Sequence, residues 1–157
     1  MKLVLATILF AGSLSVEAAD NADKNETFAE ISYVVFSHRI DIVASQRSSN
    51  DRQLYFLESD PGIESRVLDK YHYTWLRPAS GFVFDRKTGV LHLKGSSDAT
   101  ATALMVHVFE KTDAGMRCVL TMNNGSLGTG SLRYYLKKEK GAWVVEKTVY
   151  DRNLPVS

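Results

Sequence analysis

The chain has a single cysteine, and Cys118 on its own forms no disulfide within the molecule. Stability must therefore come from packing. Charge of one sign is also missing: 19 Lys and Arg stand against 18 Asp and Glu, a formal net charge of +1. A phosphate backbone or an anionic membrane surface is then not the expected partner. The apolar run at residues 3–10 is too short to cross a hydrocarbon layer of ~30 Å, and the polar residues 20–26 supply no second hydrophobic segment. Motifs that carry chemistry are lacking too. Serines are abundant, yet there is no Gly-X-Ser-X-Gly elbow. His38, His72, His92 and His107 make no spaced pair, and no Cys, Asp or Glu completes a local ligand set, so neither a metal nor a cofactor is expected. Gly125-Ser126-Leu127-Gly128-Thr129-Gly130 has the look of a phosphate loop. It lacks the Lys-Ser/Thr ending and lies between expected strands, which makes it bend chemistry.

What is present begins with an address. Lys2 gives a positive start, residues 3–10 an apolar centre, and Val16-Glu17-Ala18 the small residues that a signal peptidase reads. Residues 1–18 are expected to be an export signal, which places the protein in the periplasm or outside the cell with no membrane insertion after cleavage. About 139 residues then remain, enough for one domain that buries its own core. Residues 19–26 read as a flexible linker and residues 27–157 as that single domain.

Thr27-Phe28-Ala29-Glu30 matches a capping box, and Phe28, Ile31, Val35 and Ile42 recur near a helical period, predicting a helix over residues 28–45. The β-branched and aromatic content of residues 31–36 keeps a strand open as the alternative. After a polar connection at residues 46–53 and a short apolar patch at 54–57, Ser59-Asp60-Pro61-Gly62 offers a cap and a proline at the first helical position. A short second helix is expected there, with Ile63, Val67, Leu68 and Tyr71 on one side. From Tyr73 onward the period is two. Strands at 81–85 and 90–94, at 102–110 and 116–122, and at 131–138 and 142–150 pair into three hairpins, with a bulge or bend at 123–130. Helices first and hairpins after them give an α+β fold, its N-terminal helices packed on a curved antiparallel sheet.

Cys118 alternates with Met116, Leu120 and Met122, so it is expected on an apolar strand face as a small hydrophobe. His107, between Met105 and Phe109, is a core or rim histidine, or else lines a cavity in the concave sheet. Tyr71, Tyr73 and Trp75 alternate, and Tyr134, Tyr135, Trp143 and Tyr150 cluster in the last hairpin, as packing or as a partner surface. Asn25-Glu26-Thr27 and Asn124-Gly125-Ser126 are glycosylation sequons, meaningful in a eukaryotic host.

Phe84-Asp85-Arg86-Lys87-Thr88-Gly89, the glycine-broken stretch 124–130 and the Tyr135-Leu136-Lys137-Lys138 hairpin that ends in Gly141-Ala142-Trp143 together resemble small secreted bacterial proteins of the NTF2-like or cystatin-like kind. The resemblance covers residues 82–150, about half of the mature chain. It implies a helix-covered curved sheet and supplies no catalytic residue. Cysteines that some such proteins carry in the glycine-rich bend are absent here.

The expected function is therefore recognition. An exported, non-enzymatic protein of this size fits an inhibitor or immunity-type role against another exported protein, with Tyr73, Trp75, Arg77, Arg133 and Tyr135 as anchor residues. The alternative is a small-ligand pocket or a cofactor-free enzyme in the concave face, with His107 and an acid such as Asp85 or Glu110 as the acid-base pair. An envelope structural component, self-associating as a homo-oligomer, is a third reading.

Overall fold

The computed structural model describes residues 11–96, 100–125 and 128–151. No proline, and no glycine after Gly12, interrupts the first third of the chain, and it forms one helix, α1 (Ala11–Gln46). The helix runs through residues 19–26, where the sequence suggests a linker. Thr27 is consequently an interior residue and no capping box forms: the Glu30 carboxylate instead accepts from Arg66 at 2.8 Å. The first ten residues of the expected leader, and the tail at 152–157, lie outside the described residues. Among the described residues no helix is long and apolar enough to cross a membrane.

Ile31, Val35, Phe36, Ile40 and Val43 are buried at helical spacing along one side of α1. Helix, not strand, is therefore the outcome for residues 31–36. Burying each such side chain contributes about 1.5–3 kcal/mol relative to leaving it in water. A polar connection leads to β1 (Leu54–Leu57) and then to α2 (Pro61–Lys70), which starts as its sequence predicts. Asp60 is the N-cap, its carboxylate accepting from Gly62 N at 2.8 Å. Val67 and Tyr71 are buried, and Ile63 and Leu68 pack beside them.

Three hairpins follow. The first is β2 (Phe82–Asp85) with β3 (Val90–Leu93), and it forms a two-stranded sheet of its own. The other two pair through β5 and β6 into a meander of β4 (Ala101–Thr112), β5 (Gly115–Asn123), β6 (Thr129–Glu139) and β7 (Ala142–Asp151). The main sheet runs β1-β4-β5-β6-β7. β1 lies parallel to β4, with Leu54 beside Ala101 and Leu57 beside Leu104, so the sheet is mixed and not wholly antiparallel. The crossover through α2 and the β2–β3 hairpin makes that direction possible, because a parallel neighbour cannot be reached by a tight turn.

The sheet is strongly curled, a half-barrel with the helices packed against it, and the fold is α+β. Two bulges bend it. One shifts β4 against β5 between His107 and Glu110, where Val108 takes φ 55°, and the other shifts β6 against β7 after Tyr135. The glycine-broken stretch from Asn124 is instead the β5–β6 connection, with Asn124 N donating to Gly128 O; Ser126 and Leu127 lie outside the described residues.

Strand alternation divides the sheet into two faces. Leu104, Val106, Cys118, Leu120, Leu132, Tyr134 and Leu136 face α1 and α2 and form the main core with them. On the other side, the β2–β3 hairpin packs over Ala101 and Ala103, and Phe82 stacks on Phe56 at 4.5 Å. Alanine at both positions lets the small sheet approach closely. Fully buried in the main core, Cys118 has its thiol pushed up to about 12 by desolvation.

Candidate functional site

The six residues singled out in the sequence fall into two separate groups. Tyr73, Trp75 and Arg77 occupy the extended segment after α2. Tyr55 N donates to Trp75 O at 2.8 Å and Arg77 N donates to Tyr55 O at 3.0 Å, so this segment lies along β1 as a short parallel edge of the sheet. Residues 71, 73 and 75 then point the same way, and their rings form a ladder. Tyr71 and Tyr73 stack at 5.9 Å, Tyr73 and Trp75 at 4.8 Å with planes 11° apart, and Tyr55 closes the series edge-on to Trp75 at 5.6 Å.

Arg47, at the end of α1, lies over the Trp75 ring at 4.9 Å. It is fixed there by donating to Gln53 O at 2.7 Å and to Asp51 O at 2.6 Å, with the Asp51 carboxylate at 3.5 Å. Tyr71 is buried and anchors the ladder. Tyr73 remains 39% exposed, and Arg77, further along the segment, is exposed as well. A rigid, amphipathic strip with one guanidinium group over its Trp75 end thus stands at one edge of the fold.

His107, Arg133 and Tyr135 are the second group, on the outer face of β4–β6. His107 lies beside Val119 and Val119 beside Arg133, and Arg117 lies beside Tyr135. Val106 before it on β4, and Cys118 and Leu120 on either side of its partner Val119, face the helices, so His107 is turned away from the concave side. Its Nε2 is 2.7 Å from Thr121 Oγ1. Tyr135 sits among cations: Arg133 and then Arg117 lower its phenol from the usual value, and Lys147 Nζ is 5.8 Å from its ring. Arg117 is also ion-paired with Glu110.

Neither acid named with His107 completes an acid-base pair in the structure. Glu110 is engaged by Arg117. Asp85 closes the β2–β3 turn, accepting from Lys87 N at 2.8 Å and Thr88 Oγ1 at 2.9 Å, and those bonds hold its carboxyl below the ordinary value. Among the described residues no three or more His, Cys, Asp or Glu side chains gather as metal ligands.

Sequence reasoning passed over a third place. Arg39, Tyr55, Thr102, Asn124 and Tyr150 line a cleft of about 350 Å³ at the rim of the concave face. These five positions span more than a hundred residues of chain, and the signal in the sequence is slight: a His38-Arg39 pair inside an otherwise apolar helical face.

Comparison with known proteins finds no family model, no curated protein and no solved structure that matches this chain.

Proposed function

We propose that this is an exported, non-enzymatic binding protein that engages another exported protein, in the manner of an inhibitor or an immunity protein. The observation that carries the reading is the aromatic ladder. Tyr73 and Trp75 are stacked and only partly covered, Arg47 lies over the Trp75 ring, and Arg77 is exposed two residues further along the same edge segment. Tyrosine, tryptophan and arginine are the residue types that dominate interface energetics, and a ring already held by its neighbours loses little freedom on binding. The leader at residues 1–18 and the resemblance to NTF2-like or cystatin-like secreted proteins belong to the same proposal. The outer-face cluster of Arg117, Arg133, Tyr135 and Lys147 is a second surface suited to an acidic partner.

An acid-base enzyme built on His107 in a concave cavity has no support in this geometry. His107 faces outward, and Tyr134, Leu120, Leu104 and Cys118 fill the concave side against Phe36 and Ile40. A structural role in the envelope would show as a homo-oligomer on sizing.

The test is quantitative capture from periplasmic extract and culture supernatant on immobilised protein, wild type beside the double variant Tyr73→Ala, Trp75→Ala. The expected result is one defined protein, recovered at micromolar concentration and depleted about tenfold or more by the variant. Equal recovery on both, or no specific protein on either, counts against the reading.

A further inference from the structure

The cleft at the rim of the concave face is lined by donor-bearing residues: Arg39 from α1, Tyr55 from β1, and Tyr150 from β7, whose hydroxyl stands by Gly130 of the same lining. Asn124 is oriented by a relay. Thr100 Oγ1 donates to Gln53 Oε1 at 2.9 Å, Gln53 Nε2 donates to Thr102 Oγ1 at 2.9 Å, and Thr102 Oγ1 donates to Asn124 Oδ1 at 2.6 Å. With its oxygen taken, the Asn124 amide has its NH2 left to offer. No carboxylate is among the described residues of the lining. The nearby Asp51 is committed to Arg47 and to Gln53 N.

Arg39 Nε is buried with no hydrogen-bond partner among the described residues. Outside the lining, Tyr134 OH and Thr148 Oγ1 are unsatisfied too, paired across β6 and β7 two positions along from Leu132 and Tyr150. Arg39 is close enough to both Tyr55 and Tyr134 for its charge to act on their phenols, although desolvation dominates and raises both. A half-buried guanidinium with no carboxylate partner among the described residues is costly, and a bound anion recovers that cost through charge-assisted hydrogen bonds. Room for it is made at Gly130, where an added Cβ would stand 3.3 Å from Met122 Cε and 3.4 Å from the Tyr150 hydroxyl.

We propose that this cleft binds a small oxyanion, the phosphate or carboxylate group of a free ligand, held by Arg39 with Tyr55, Tyr150 and Asn124 as neutral donors. The site shares Tyr55 with the aromatic ladder, and the two readings are separated by residues that belong to one of them alone. Loss of partner capture in Tyr73→Ala leaves the cleft lining intact, and loss of anion binding in Arg39→Gln leaves the stack of Tyr73 on Trp75 untouched.

The experiment is calorimetric titration of the full chain in a chloride buffer, with inorganic phosphate in one arm and succinate in the other. Saturable binding of one to one stoichiometry in either arm is expected, and the arm that binds identifies the group. Arg39→Gln should weaken it about tenfold or more, the loss of a charged hydrogen bond. Gly130→Ala should weaken it by narrowing the cleft, and Lys111→Gln, the same charge change at the far end of β4, should leave it unchanged. Should Arg39→Gln lose its near-ultraviolet circular dichroism, Gly130→Ala and Tyr150→Phe decide the outcome. No saturable binding of either anion at millimolar concentration, undiminished binding in the cleft variants, or equal loss in Lys111→Gln would overturn the proposal.

Discussion

His38 stands edge-on to Tyr134, with ring centroids 5.6 Å apart and planes at 89°, so a half-buried helix imidazole meets a core phenol of the sheet. Tyr134 is wholly buried and His38 Nδ1 has no hydrogen-bond partner. Desolvation lowers the His38 pKa from its ordinary value of 6.5, Arg39 adds to the lowering, and Asp41 opposes it. The sign follows directly. Below 6.5 the unfolded chain takes up a proton that the folded chain refuses, so the stabilisation is complete above that pH and is lost as pH falls toward the lower folded value. Urea midpoints measured from about pH 8 down to about pH 5 should fall, and His38→Leu should flatten that dependence. A wild-type curve no steeper than that of the variant would contradict the assignment.

Gly115 follows the β4–β5 turn with its α-carbon against β6. An added Cβ would lie 2.0 Å from Leu136 O, a backbone atom that cannot step aside. Gly115→Ala should cost roughly 1–3 kcal/mol, as overpacking does. Gly95→Ala should cost less, since a Cβ there meets nothing within 4 Å and only the positive φ of 79° resists it. Thermal melts of the two variants give the ordering.

Val108 combines a β-branched side chain with φ 55° at the bulge of β4, and it is 49% exposed. Left-handed backbone costs such a residue about 1–2 kcal/mol, while little packing is lost by removing a side chain in solvent. Val108→Gly should therefore leave stability unchanged or raise it by about 1 kcal/mol, read as an increased denaturant midpoint. A large loss would mean that the bulge is not where the strain resides.

Cys118 should resist thiol reagents in the native protein. The thiol is fully buried and its pKa stands at about 12, so the reactive thiolate is scarce at neutral pH. Labelling with an aromatic disulfide reagent should follow global unfolding and become rapid in denaturant. Cys118→Ser should cost about 1–3 kcal/mol by burying a hydroxyl in an apolar site.

Local physics made much of this fold legible in the sequence. The cap at Asp60 with Pro61, the period-two strands and the turn residues between them depend only on near neighbours, and all of them stand where the sequence places them. The burial of Cys118 follows from alternation in the same way. Tertiary structure decided the rest. Four residues at 54–57 carry too little periodicity to declare a strand, and only the crossover through α2 sets β1 parallel to β4. The Thr27 box satisfied a local pattern, yet the helix passed through it and Glu30 found Arg66, 36 residues away. Which face His107 presents depends on register, because one residue of shift reverses every side chain of a strand. The Arg39 cleft draws on α1, β1, β7 and the β5–β6 connection. No spacing rule joins positions so far apart in sequence, and they meet only because the sheet curls around the helix.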